Sequence, residues 1–92
     1  MNLPEPVPHT ITVYTKSNCS NCDKLKAYLI KNNFIYHFID CDPYLGDEEM
    51  KNCFLTQMNY YSGQKIKSFP MVFYDCRYIG GYYDLLEYYG DF

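Results

Sequence analysis

The feature that most constrains this chain is an apolar periodicity that switches between two and 3.6 residues along its length. "TITVYT" (10–15) alternates β-branched and aromatic residues with period two and predicts a strand. Residues 20–32 then put Cys22, Leu25 and Leu29 on one stripe, with Tyr28 beside it and Lys24, Lys26 and Lys31 off it. That is an amphipathic helix. "FIYHFI" (34–39) predicts a second strand. "GDEEMKNCFLTQMNYY" opens with acids, which favour a helix N-terminus, and spaces Met50, Cys53, Phe54 and Met58 helically, so Cys53 is expected in the core. "PMVFYD" (70–75) is a strand opened by proline, and "RYIGG" is a short strand joined to it by a tight turn holding Cys76. "YYDLLEYYG" supplies a short last helix. The order β-α-β-α-β-β-α predicts an α/β domain with a four-stranded mixed sheet flanked by helices. Right-handed parallel crossovers are expected among the first three strands, and a hairpin at the end.

Ahead of this pattern, "MNLPEPVPH" carries prolines at 4, 6 and 8, which predicts a flexible, extended arm over 1–9 and a domain over 10–92. Ninety-two residues with 48% hydrophobic and 21% charged side chains suit one folded domain and exclude a disordered chain. A net charge of −3 argues against nucleic acid as a partner. Lysines nevertheless gather in two windows, Lys16, Lys24 and Lys26, then Lys65 and Lys67. Should those windows meet, they form a positive field suited to a small anion; otherwise they are ordinary solvated lysines. No basic cluster followed by an apolar run starts the chain, and no stretch approaches a membrane span of roughly 20 apolar residues. An intracellular, reducing setting is therefore expected, where five cysteines, an odd count, do not serve as structural disulfides.

Cys19 and Cys22 then become informative. Cys19 falls where the first strand hands over to the first helix, near unpaired backbone N–H groups and the positive end of the helix dipole. Both favour thiolate over thiol, with Lys16 close by in sequence. Cys22, one turn later, can attack a mixed disulfide formed at Cys19, which makes Cys19 the nucleophile and Cys22 the resolving thiol. A structural zinc site is the competing use of such a pair. Cys41, Cys53, Cys76, His9 and His37 form no second close pair to complete it, so no metal site is expected. Chance placement in a cysteine-rich core is the remaining alternative.

Four pieces together make residues 10–89 resemble a glutaredoxin: "YTKSNCSNC", "SGQ" at 62–64, "SFP" at 68–70 and "YIGGYYDLL". The resemblance implies a thioredoxin-like fold and a glutathione site. Lys16 would meet the glycine carboxylate of glutathione, with Gln64 at the same end. Phe69 would offer its backbone to the glutathione cysteine, and Pro70 would be a cis-proline. Asp84 and the N–H of Tyr83 would hold the γ-glutamyl group; the glycines ahead of that helix suit an anion on physical grounds as well.

The chain departs from the resemblance in three places. Ser20-Asn21 stands for Pro-Tyr between the cysteines, removing an aromatic wall beside the sulfur. "QKIKSFP" is two residues longer than its counterpart, and the final helix is short. The resemblance assigns no role to Cys41, Cys76 is expected to be an exposed bystander, and most of the twelve tyrosines should cap the core with hydroxyls outward.

The resulting expectation is a glutathione-dependent thiol–disulfide oxidoreductase, monomeric and cytoplasmic, reducing protein disulfides and protein–glutathione mixed disulfides. Glutathione serves as reductant, an iron–sulfur cluster is possible but not expected, and neither nucleic acid nor membrane is a partner. The alternatives are a carrier of a glutathione-ligated iron–sulfur cluster and a thioredoxin-reductase-linked electron donor to ribonucleotide reductase. A single alanine against seven asparagines fits an AT-rich genome, as in large DNA viruses; there the compartment would be the host cytoplasm.

Overall fold

The computed structural model describes residues 3–90. Its elements are β1 (Ile11–Thr15), α1 (Ser20–Lys31), β2 (Tyr36–Asp40), a 3₁₀ turn (Asp42–Tyr44), α2 (Glu48–Ser62), β3 (Met71–Tyr74), β4 (Arg77–Gly80) and α3 (Tyr82–Tyr88). The strands form one mixed sheet in the order β2-β1-β3-β4.

The central strands are covered on both faces, and their alternation sorts residues between two cores. Ile11, Val13 and Val72 pack with Leu25, Leu29 and Leu85 on the side of α1 and α3. Tyr14, Met71 and Phe73 pack with Phe54 and Met58 of α2 on the other side. Thr12, also without exposure, is tolerated there because its Oγ accepts the Val7 N–H at 2.9 Å. Each helix boundary has a local cause. Asp47 caps α2 by accepting the Met50 N–H at 2.8 Å, with Glu48 and Glu49 in the first turn. Gly63 ends α2 in the left-handed region at φ 73°, which glycine adopts without a Cβ clash.

The structure departs from the sequence expectations at three points. First, only β1 and β2 are parallel; β3 runs antiparallel to β1, from Ile11↔Tyr74 to Tyr14↔Met71. The irregular segment after Gly63 returns the chain to the end of the sheet where β1 finishes, so the second crossover rule does not apply.

Second, the N-terminal segment is docked, although its prolines do keep it out of regular structure. Leu3 is buried in the α2-side core, the Tyr14 hydroxyl donates to the Pro4 carbonyl at 2.6 Å, and Tyr61 donates to the Leu3 carbonyl at 3.2 Å. An apolar anchor and two tyrosine donors outweigh the stiffness that suggested a free arm. Tyr14, unlike the outward-capping tyrosines expected, lies wholly inside.

Third, Cys53 is exposed, because the buried stripe of α2 runs through Phe54 and Met58, with Leu55 and Tyr61 packed beside it. The β3–β4 turn places Asp75 (φ 50°) and Cys76 (φ 66°) both at positive φ, the type I′ pattern that matches strand twist.

Candidate active site

Three segments leave the same end of the sheet and meet there. The loop 16–19 continues from β1, Phe69-Pro70 leads into β3, and Gly80-Gly81 follows β4. The antiparallel register that pairs Tyr14 with Met71, carried two residues further, sets Lys16 opposite Phe69. A Cβ on Gly81 would stand 3.7 Å from the Pro70 carbonyl oxygen, which shows how closely the start of α3 approaches that bond. The Phe69-Pro70 peptide is cis, as the resemblance implied.

Cys19 is the N-cap of α1, in extended conformation (φ −126°, ψ 100°), and its Sγ accepts the Cys22 N–H at 3.2 Å. The preceding Asn18 takes φ 53°, a conformation asparagine tolerates, and so turns the loop into the helix. Two ties fix this loop: the Ser17 N–H donates to Asp42 Oδ1 at 2.9 Å, and the Cys41 N–H donates to the Thr15 carbonyl at 2.8 Å. Cys19 and Cys22 are joined as a disulfide, with Cα atoms 5.2 Å apart, inside the range such bridges require. The two sulfurs differ in access. Cys22 is 4% exposed, while Cys19 is partly open. An attacking thiol needs that opening, and a resolving thiol needs only its neighbour. The N-cap hydrogen bond and the helix N-terminus both stabilise negative charge on Cys19 Sγ; Asp23, in the first turn, works against them.

Lys16 reaches the same place by a route the sequence did not announce. Its Nζ lies 5.6 Å from the centroid of the Phe69 ring. Phe69 stacks on Phe54 (5.8 Å, 8° between planes), and Phe54 stacks on Tyr44 (6.1 Å, 5°). A column of three rings, backed by buried Phe54, thus carries a lysine ammonium at its outer end. The available signal was phenylalanine at 69, where the resemblance has valine. Lys26 instead sits over Phe38, so the two lysine windows do not merge as a whole.

The other expected residues distribute unevenly. Pro70 is buried and Phe69 half-buried, whereas Tyr83 and Asp84 are exposed at the first turn of α3. Asp84 Oδ2 accepts the Gly81 N–H at 2.8 Å. Gly80, at φ 135°, is required here: a Cβ would run into the Asp84 side chain. Gln64 is exposed, and its described hydrogen bonds tie its backbone to the Ser62 hydroxyl. Cys41 is fully buried, and burial, reinforced by the nearby Asp40 charge, pushes its thiol up to about 12, so it is inert at neutral pH. Cys76 is exposed as expected, with its Sγ 3.4 Å from the Pro6 carbonyl oxygen. Among the described residues, no three His, Cys, Asp or Glu side chains gather as metal ligands, and no helix is long and apolar enough to cross a membrane.

A mixed sheet with CxxC at the junction of its first strand and helix, and a cis-proline at the start of the antiparallel strand beside that first strand, defines a thioredoxin-like thiol–disulfide oxidoreductase. Within that class the chain belongs to the glutaredoxin family, whose family model matches residues 11–79. It is 37% identical over 79 residues to glutaredoxin 1 of Rickettsia typhi, covering 86% of this chain and 69% of that one. Glutaredoxin 1 of Rickettsia prowazekii is 38% identical over 79 residues, covering 86% and 76%. Among solved structures, glutaredoxin 1 from Francisella tularensis complexed with cacodylate superposes with a TM-score of 0.69 at 24% identity, covering 88% of this chain and 91% of that one. A buckwheat glutaredoxin–glutathione complex gives 0.68 at 23% identity, covering 89% and 69%.

Proposed function

We propose that this glutaredoxin reduces protein disulfides and protein–glutathione mixed disulfides with glutathione as the electron source. The observation that carries the reading is Cys19 Sγ, partly open, at the N-cap of α1 and accepting a backbone N–H. The surrounding groups suit a tripeptide with two carboxylates and an ammonium. Lys16 offers an exposed cation and Asp84 an exposed acid. The β1–β3 ladder stops at Met71, which leaves the main chain of Phe69 outside it. Lys16 and Gln64 would take the glycine end, the Phe69 backbone beside cis-Pro70 the cysteine, and Asp84 with the Tyr83 N–H the γ-glutamyl end. The glutathione-bound buckwheat structure supports the same ligand by family.

In the monothiol half of the chemistry, the Cys19 thiolate attacks the glutathione sulfur of a protein–glutathione mixed disulfide. The protein leaves as thiolate and Cys19 carries glutathione. A second glutathione thiolate attacks that bond, giving glutathione disulfide and restoring Cys19. With a protein disulfide, Cys19 forms a mixed disulfide with one protein sulfur. Cys22, losing its proton, then displaces the protein and closes the Cys19–Cys22 bridge. Two glutathiones reopen it, each supplying one electron equivalent. The same reading has the 10–92 domain acting as a monomer in the cytoplasm.

Cys19→Ser should abolish both activities. Cys22→Ser should keep deglutathionylation and lose most reduction of protein disulfides. Full activity in Cys19→Ser overturns the assignment.

A further inference from the structure

Beside the redox centre, the two-residue-longer segment after α2 forms a feature of its own. Lys65, Ile66 and Lys67, with Leu55 and Asn59 of α2, line an open cavity of about 330 Å³. Ile66 is partly buried and packs against the same core as Leu55 and Phe69, while the lysines on either side are exposed. The lip is held in place, because the Ile66 N–H donates to Asn59 Oδ1 at 2.8 Å and Gly63 fixes the preceding turn. That bond occupies the one polar side chain of α2 in the groove. The lining is therefore an apolar floor, an amide whose oxygen is already bonded and two cations, neither of them in an ion pair among the described residues.

The groove lies next to the chemistry. Lys67 is two residues from Phe69, a span of at most about 7 Å of extended chain, and the Phe69 ring is where the Lys16 ammonium sits. Lys65 and Lys67 are both exposed cations on a chain of net charge −3. Complementarity asks for negative charge on the occupant, and the floor between the lysines asks for an apolar side chain.

We propose that this groove docks the substrate protein itself, taking a segment near its reactive disulfide in which an apolar side chain is flanked by acidic ones. The inference rests on the glutaredoxin activity above and adds to it a substrate class. Glutathione enters at Cys19, and the groove selects what glutathione is removed from.

The test uses glutathionylated peptides carrying Glu-Leu-Glu, Ser-Leu-Ser or Lys-Leu-Lys beside the modified cysteine, plus the glutathione mixed disulfide of 2-mercaptoethanol. With two exposed ion pairs in play, kcat/KM should fall roughly tenfold from the acidic to the basic peptide, and the spread should shrink with salt. In the K65E/K67E double variant the order should reverse, with turnover of the mercaptoethanol compound unchanged within about twofold. Equal kcat/KM for the three peptides, or an order that survives the reversal, overturns the groove. A binding arm separates this outcome from failure of the redox reading. The acidic peptide with serine for cysteine, titrated into the unmodified protein, should shift the amide resonances of Leu55, Asn59, Lys65, Ile66 and Lys67 saturably, and the basic peptide should not. Turnover absent for every substrate while those shifts persist would sink the redox assignment and leave the groove standing; absent or charge-independent shifts remove the groove.

Discussion

Replacing Phe54 or Phe69 tests whether the ring column places the lysine at the redox centre. Phe54 has no solvent exposure and is stacked with two rings, at 6.1 Å on Tyr44 and 5.8 Å on Phe69. Phe54→Leu keeps most of the volume but loses two ring contacts of about 0.5–1.5 kcal/mol each, so stability should fall by about 1–3 kcal/mol. Phe54→Ala should cost about 3–5 kcal/mol, a large share of the roughly 5–15 kcal/mol holding a domain folded. Leucine is therefore the informative change. Phe69→Leu removes the outer ring, and with it a cation–π contact worth about 0.5–1 kcal/mol at an exposed site. If that contact seats Lys16 for the glutathione carboxylate, KM for glutathione should rise about two- to fivefold, with kcat little changed. Phe69→Tyr should restore it. Urea unfolding gives the stability term and steady-state kinetics the KM. In a Lys16→Met background, Phe69→Leu should add nothing further, because the two act as one unit. A full additional KM increase there, or an unchanged KM in Phe69→Leu alone, would show that the ring does not seat the lysine.

Two further outcomes follow from the packing. Cys41 binds its proton more tightly folded than unfolded, so its contribution to stability is complete below about 8.5, the ordinary thiol value, and is lost as pH rises toward 12. Tyr14, raised chiefly by burial, adds to the same alkaline loss. Stability measured from pH 8 to 10.5 should fall, the fall should be shallower in Cys41→Ala, and a thiol reagent at pH 8 should label Cys53 and Cys76 but not Cys41; rapid native labelling of Cys41 contradicts this. Deleting residues 1–9 removes Leu3 from the core and both tyrosine hydrogen bonds, a loss of about 3–6 kcal/mol. An unchanged melting temperature after the deletion would mean that the segment is free in solution.

Elements whose side chains report one local preference were readable from sequence. The stripe Cys22, Leu25, Leu29 and the alternation in 10–15 reappear as the buried faces of α1 and β1, with boundaries shifted by a residue or two. The setting of Cys19, the proposed nucleophile, was readable too, since a strand-to-helix junction needs only periodicities and a cysteine between them. Features depending on long-range partners were not. The direction of β3 depends on where an irregular segment brings the chain, and no periodicity encodes that. The docking of Leu3 depends on Tyr14 and Tyr61, distant in sequence and otherwise unremarked among twelve tyrosines. Cys53 failed for a narrower reason: it neighbours the buried stripe by one position, about 100° around the helix, and tertiary packing chose Phe54. The ring column combined both difficulties, joining positions 44, 54 and 69 from three separate segments.

The most direct measurement is the rate of alkylation of reduced Cys19 as a function of pH, taken in Cys22→Ser with Cys53 and Cys76 replaced by serine. A sulfur held at a helix cap and fed a backbone N–H should titrate between roughly 3.5 and 7.5, so the rate should already be level by neutral pH. A midpoint near 8.5, where a thiol in water titrates, would show that the fold does nothing to charge this sulfur.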